Sequence, residues 1–348
     1  MSELRVNAVT DETGGNTATI NGMTPTADSL QGFRNRIING DMRIDQRNAG
    51  ASVTPADGAY TLDRWRAGAS AASKFSVQQS SVAPTGFSFS MLCTSLSAYS
   101  VGTNDNFEMF QLIEGFNTAD LGWGTANAQA VTLSFWVRSS LTGTFGGSIQ
   151  NSAFDRSYPF SYTISAANTW EQKTVTIAGD TSGTWVGATN GAGIVLCIGL
   201  GAGTGRSGTT GAWAGATYYN ATGAVSVVGT SGATFYITGV QLEVGSVATP
   251  FERRPYGTEL ALCLRYTYKV MQGFYLLKMR ELDRSRVNYY QHPVQMRAAP
   301  TVASMATTDG ISVSVATITD KGFVANCTVT GDGFGAQINT QALVSAEL

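Results

Sequence analysis

The chain has 348 residues, with 24 acidic and 22 basic side chains and a formal net charge of −2. That balance excludes a broadly basic nucleic-acid-binding surface, and no apolar run approaches the ~18 residues of a membrane-spanning helix. Charged residues make up 13% of the chain, about half of the ~25% usual in soluble domains. With 40 glycines and so few charges, the surface must be covered largely by Ser, Thr, Asn, Gln and Gly. Scarce Lys and Glu disfavour long solvated helices. Abundant Val, Thr, Tyr and Phe favour strands. The length suits about two domains.

Residues 1–32 are sparse in large apolar groups. Leu4, Val6 and Val9 can form one short strand, and the rest is turn chemistry. Such a segment cannot build a core of its own. It is either a loose tail or an anchor that orders against a larger partner. "MSELRVNAVTDETGG" lacks the apolar stretch of a signal peptide, so synthesis in the cytoplasm is expected.

From residue 33 to about 255 the chain reads as short strands separated by turn clusters. "KFSVQQSSV" (74–82), "FSFSMLCTSL" (87–96), "FEMFQLI" (107–113), "AVTLSFWVRSS" (130–140), "KTVTIAG" (173–179) and "TFYITGVQLEV" (234–244) alternate apolar and polar residues in whole or in part. Alternation gives each strand one buried and one exposed face. Val131, Leu133, Phe135 and Val137 share the face expected to be buried. "GIVLCIGL" (193–200) is continuously apolar, as a fully buried strand would be. Regular strands, Gly-rich turns and no intervening helices predict an all-β antiparallel jelly-roll sandwich. The Gly-rich stretch 199–232 predicts a long loop, a place where binding tends to reside. Around "NRIINGDMRID" (35–45), Met42 and Ile44 are expected to point inward, with Asp41, Arg43 and Asp45 forming a mixed-charge outward face.

Near Pro255 the pattern changes. Thr258 is expected to cap a short helix, with Glu259 in its first turn and Leu260, Cys263 and Leu264 at helical spacing. Residues 256–348 then return to strand composition and are expected to form a smaller C-terminal β-domain, with strands at "GFYLLKM", "RVNYY", "ISVSVATI" and "GFVANCTVTG".

Candidate chemistry is sparse. His292 is the one histidine, and no nucleophile motif accompanies it. Glu108 and Glu114 are six apart on one predicted strand, about 20 Å at ~3.3 Å per residue, too far for a glycosidase pair. The glycines of 199–211 carry no phosphate-loop signature. Cys93, Cys197, Cys263 and Cys327 have no paired spacing and read as small buried hydrophobes. No catalytic residue, metal site or cofactor is expected. Aromatic faces for sugar stacking come from Trp123, Trp185 and Trp213 in Gly-rich loops, from Tyr218 and Tyr219, and from Tyr289 and Tyr290, which fall on opposite sides of one strand. Each loop tryptophan can equally plug its loop onto the sandwich.

Several segments in order carry a resemblance: "RNRIINGDMRIDQRNAG" (34–50), "YTLDRW" (60–65), "EMFQLIEGFNTADLGWGTANAQAVTLSFWVRSSLTGTF" (108–145), "NTWEQKTVTIAGDTSGTW" (168–185) and "TFYITGVQLEVGSVATPFERRPYGTELALCLRYTY" (234–268). Together they resemble the body of bacteriophage tail fibre proteins. "LRVNAVTDETGGNTATI" is similar to their virion-docking segment, and "HPVQMRAAPTV" to their C-terminal domain. The middle region also resembles jelly-roll carbohydrate-binding modules at Asn39-Gly40-Asp41, at Phe135-Trp136-Val137 and at Val240-Gln241-Leu242-Glu243. Such modules often hold a structural Ca²⁺. Here Met42-Arg43 and Thr238-Gly239 stand where that pattern has acids, so no calcium is expected.

The resemblance implies a homotrimeric tail fibre located in the virion. Residues 1–32 would dock on the phage tail, 33–255 would form the body, and 256–348 would form a distal receptor-binding tip. The partner would be a host surface glycan such as lipopolysaccharide, bound without catalysis and without membrane insertion. The alternatives are a tailspike-type polysaccharide depolymerase and a purely structural tail or baseplate subunit.

Overall fold

The computed structural model describes residues 33–275, 285–303, 311–329 and 337–348. The expected docking segment 1–32 lies outside them. The sandwich strands are β1 (Arg66–Ala69), β2 (Phe75–Ser80), β3 (Ser90–Ser95), β4 (Asn106–Glu114), β5 (Val131–Ser139), β6 (Gly143–Gln150), β7 (Ser157–Ile164), β8 (Glu171–Ile177) and β9 (Ala192–Ala202). Two short strands, β10 (Ser207–Gly208) and β11 (Asn220–Ala221), precede β12 (Thr234–Val244). Helix α1 (Tyr256–Leu264) leads to β13 (Thr267–Tyr275), β14 (Ser285–Gln291), β15 (Thr301–Val302), β16 (Ile311–Ile318), β17 (Gly322–Val329) and β18 (Gln337–Ser345).

Two five-stranded sheets, ordered β1-β4-β9-β6-β7 and β2-β3-β12-β5-β8, face each other. Every pairing within them is antiparallel. Successive strands β4, β5 and β6 alternate between the sheets, which is the jelly-roll sandwich predicted from the pattern. Val131, Leu133, Phe135 and Val137 are fully buried on one face of β5. Phe135 meets Tyr162 edge-to-face at 4.9 Å, and Phe145 stacks near Phe235 at 5.9 Å. Strand β9 is buried on both faces. Ile194, Leu196, Ile198 and Leu200 enter the main core, while Val195 and Cys197 pack outward with Phe110 and Leu112.

That outer face is closed by the chain itself. The Gly-rich stretch after β9 folds back as a strap carrying β10 and β11. Glycines make the approach possible: a Cβ on Gly146 would lie 2.5 Å from Asn220 Oδ1, and one on Gly199 would lie 2.4 Å from Asn220 Nδ2. The C-terminal domain has two three-stranded sheets, β13-β18-β15 and β14-β17-β16. Its core includes Tyr268, Val270, Met296, Phe323 and Val344.

Two local expectations change. In the lead-in, residues 35–45, Asn39 (φ 58°) and Met42 (φ 59°) adopt the left-handed region, so inward and outward positions do not simply alternate. Met42 and Ile44 are buried as expected, but Asp41 is buried as well, paired with Arg43 at 2.5 Å. Helix α1 begins after Pro255, and Thr258 lies inside it, with Glu259 in the first turn. Glu259 accepts from the Asn39 backbone N–H at 2.5 Å, which ties the helix to the lead-in.

The junction between sandwich and C-terminal domain is centred on Arg64 of "YTLDRW". Arg64 is 1% exposed and has φ 70°. Its guanidinium lies 3.5 Å from the centroid of Tyr266, pairs with Glu347 and donates to the Leu112 carbonyl. Glu114 accepts from Arg265 and from the Tyr266 hydroxyl, both at 2.7 Å. Trp65 donates to the Asn39 carbonyl at 3.2 Å, so the two quoted motifs hold one another. Removing one member of a buried ion pair strands the other charge. Arg64→Met is therefore expected to lower unfolding free energy by ~3–5 kcal/mol, read from thermal and urea melts of the full chain; a loss below ~0.5 kcal/mol would contradict this role.

Candidate functional site

The three loop tryptophans come together at one end of the sandwich. Trp123 follows two short 3₁₀ turns, Trp185 sits between β8 and β9, and Trp213 lies in the strap. Their ring centroids are 4.7, 5.3 and 5.4 Å apart, all edge-to-face. Tyr158 joins Trp213 at 5.3 Å. Each indole N–H donates to a backbone carbonyl: Trp123 to Gln129 (2.7 Å), Trp185 to Ser182 (3.1 Å) and Trp213 to Ala178 (2.7 Å). Trp123 is buried and the other two are half-buried. The arrangement clasps loops that lie far apart in sequence. The cleft beside it, lined by Trp123, Trp185, Thr118 and Val186, holds about 50 Å³. Ligand pockets begin near ~300 Å³.

Tyr218 and Tyr219 belong to the strap. The Tyr218 ring lies against Gly208, and Tyr219 packs edge-to-face on Phe110 at 5.9 Å. Tyr289 and Tyr290 occupy opposite sides of β14, as strand periodicity predicts. Tyr290 is buried and stacked on Phe323 at 4.8 Å, whereas Tyr289 is 63% exposed. Of the seven aromatic candidates, Tyr289 alone is an open ring.

The acids near these elements are engaged within the fold. Glu243 accepts from the Thr249 N–H (2.8 Å) and hydroxyl (2.6 Å), and Glu252 accepts from the Asn35 N–H at 2.9 Å. His292 bonds Tyr268 at 2.6 Å and the Thr319 carbonyl at 3.0 Å, so its Nε2 donates and its Nδ1 accepts. Thr238 donates to the Phe89 carbonyl at 2.7 Å, and Gly239 (φ 61°) leaves room for Phe87. Among the described residues, no group of three His, Cys, Asp or Glu side chains is placed to hold a metal ion. Cys93, Cys197 and Cys263 are buried free thiols. Among the described residues, no helix is long and apolar enough to cross a membrane.

Glu108 differs from the other acids. It is fully buried on β4 beneath the strap, and burial pushes its carboxyl up to about 8. It accepts from Asn106 at 2.8 Å, and its Oε2 has no partner.

An open groove lies elsewhere, at the junction. It holds about 410 Å³ and is lined by Arg47, Asn48, Tyr60, Lys269, Leu343 and Ser345. The turn 45–50 forms because the Asp45 carboxylate accepts from the Asn48 and Gly50 N–H groups at 3.0 and 2.8 Å. Gly50 (φ 82°) suits that turn. Asn48 Nδ2 is held by the Thr61 carbonyl at 3.0 Å. Lys269 on β13 faces Leu343 on β18 in register, and Ser345 lies two positions on, on the same face. The Tyr60 hydroxyl donates to the Leu348 carbonyl at 2.7 Å, and Arg47 lies 5.4 Å from the Tyr60 ring centre. No spacing rule joins residues 47, 60, 269 and 343. The only sequence signal was that Arg47 and Tyr60 fall in the two stretches that stood out.

No family profile matches the sequence, and no curated protein matches it. Solved structures similar to this chain include the enzymatically active domain of tailspike protein 4 from bacteriophage CBA120, at 13% identity and a TM-score of 0.34. That match covers 61% of this chain and 22% of the tailspike chain. The carbohydrate-binding module TmCBM61 in complex with β-1,4-galactotriose is similar at 10% identity and a TM-score of 0.31, over 61% of this chain and 99% of the module. A family 11 carbohydrate-binding module from Clostridium thermocellum, in complex with a β-1,3-1,4-mixed-linked tetrasaccharide, is similar at 10% identity and a TM-score of 0.29, over 58% and 100%. The sandwich assignment rests on the strand order given above.

Two outcomes are expected. Trp213→Ala should cost ~2–4 kcal/mol by opening the clasp, measured by chemical denaturation; an unchanged midpoint would show that the ring packs against nothing essential. For Glu108, the folded value lies above the ordinary 4.5, so folding favours the protonated form. Its contribution is intact below pH ~4.5, is lost as pH rises toward ~8, and levels off above that. Glu108→Gln should therefore raise the melting temperature at pH 8–9 relative to the parent and leave a flatter pH profile between about 5 and 8.

Proposed function

We propose that this chain is a non-catalytic attachment subunit of a phage tail that binds a host surface glycan. The observation that carries the reading is the junction groove. Sugar recognition needs an apolar wall with a few converging polar groups in a pocket of ~300–1,000 Å³. The groove offers Tyr60 and Leu343 as wall, with Asn48, Ser345, Arg47 and Lys269 as polar groups, in about 410 Å³. Tyr289 adds an exposed ring on the C-terminal domain.

The fibre-like order of sequence segments supports placement in a virion, with 1–32 toward the tail. A homotrimer agrees with that reading, since three weak grooves on one particle gain by multivalency. The engagement of Glu114, Glu243 and Glu252 in fold-internal bonds supports binding without hydrolysis.

The purified protein is expected to bind oligosaccharides on a glycan array and to elute as a particle of three times the 36.6 kDa chain mass. New reducing ends released from a bound polysaccharide would replace this reading with the depolymerase. Absence of any saccharide binding would overturn it.

A further inference from the structure

We infer that the junction groove selects an anionic saccharide, one whose carboxylate or phosphate is held by Lys269 and Arg47 while its ring rests on Tyr60 and Leu343. The inference rests on the glycan reading of that groove and adds the chemical class.

The lining contains two cations and no acid. This is a specific bias in a chain whose net charge is −2 and whose charged fraction is 13%. Lys269 is exposed, and no carboxylate of the described residues pairs with it. One of its three protons goes to the Arg47 carbonyl at 2.6 Å, which leaves two donors for a ligand. Arg47 has an 8% exposed side chain, and its Nη1 finds no hydrogen-bond acceptor. That nitrogen is ion-paired with Asp63 Oδ1 at 3.8 Å, a separation too long for a hydrogen bond. Glu347 engages the other nitrogen, Nη2, at 3.1 Å, but Glu347 also serves Arg64. The groove therefore meets Arg47 as a positive edge beside the open Lys269 ammonium.

The neutral groups suit the sugar part. Asn48 uses its Nδ2 on Thr61, which leaves its carbonyl oxygen to accept from a hydroxyl. Ser345 lies on the same face as Leu343 and brings a hydroxyl of its own. Arg47 caps one side of the Tyr60 ring, so the charge sits beside the apolar wall rather than apart from it.

Titration calorimetry on the full chain tests this with four probes: an oligogalacturonide, a phosphorylated hexose oligosaccharide, the matching neutral oligogalactoside, and inorganic phosphate alone. At least one anionic saccharide is expected to bind about tenfold tighter than the neutral one. That preference should shrink between about 50 mM and about 500 mM salt. Which of the two anionic probes binds distinguishes carboxylate from phosphate. Lys269→Gln and Ser345→Asp should each remove the preference while leaving the melting temperature unchanged. If no saccharide binds, the glycan reading itself falls. Equal binding of neutral and anionic sugars, or a preference that survives both substitutions, overturns the anionic class alone. Inorganic phosphate binding as tightly as the sugar phosphate would mark an ion site only, and would also overturn it.

Discussion

An arginine buried to 1% exposure must find a charge and a set of acceptors inside the protein. Arg64 finds Glu347 from the end of the chain, the Tyr266 ring from the segment after α1, and the Leu112 carbonyl of β4. None of these lies near it in sequence. Its left-handed backbone lets Asp63, Arg64 and Trp65 turn three ways within three residues. Asp63 accepts from the Gln46 N–H at 3.0 Å, Arg64 reaches the C-terminal domain, and Trp65 enters the sandwich core. Strand β4, the segment after α1 and Glu347 beyond β18 meet at this one side chain.

The low charge content takes on a different meaning in this light. Many of the acids are not on the surface at all. Asp41, Asp63, Glu108, Glu114, Asp180, Glu243 and Glu259 are buried. Arg43, Arg156, Arg254 and Arg265 meet Asp41, Asp180, Glu259 and Glu114 in ion pairs. Buried pairs of this kind add little net stability compared with apolar packing, but they penalise every arrangement that separates them. A sandwich rich in Ser, Thr and Gly has few large side chains to fix the position of its long connections, and these pairs fix them. Glu108 is the exception, an acid under the strap with no ion pair among the described residues, its carboxyl pushed up to about 8 by burial.

Strands with regular alternation were legible in the sequence. Val131, Leu133, Phe135 and Val137 fall on the buried face as read, and β12 spans the residues that alternation marked, 234–244. Strands β1, β6, β7 and β18 were not legible. Strand β6, "GTFGGSIQ", is poor in apolar residues because Gly146 and Gly147 must admit the strap and the neighbouring backbone. Strand β7 carries Pro159, which a sheet accepts only at an edge, and β7 is the edge of its sheet. The mixed-charge lead-in was read as a solvated face, yet its Asp41 is buried with Arg43 and its Asn39 is fully buried. Local pattern cannot report that a distant helix, α1, will cover it. The aromatic residues were found, but their destinations were not. A tryptophan in a Gly-rich loop has the same local sequence whether it meets a ligand or another tryptophan, and here three of them meet each other.

The junction groove and the Arg64 lock are joined through one carboxylate. Glu347 holds Arg64 on one side and Arg47 on the other. An anion taken by Arg47 competes with Asp63 and Glu347 for the same guanidinium. Lys269 acts from β13 through the Arg47 carbonyl, so a ligand bridging Lys269 and Arg47 also bridges the C-terminal sheet and the sandwich. The groove and the docking of the domains thus draw on one electrostatic set, and any ligand that bound the docked form alone would stabilise the junction.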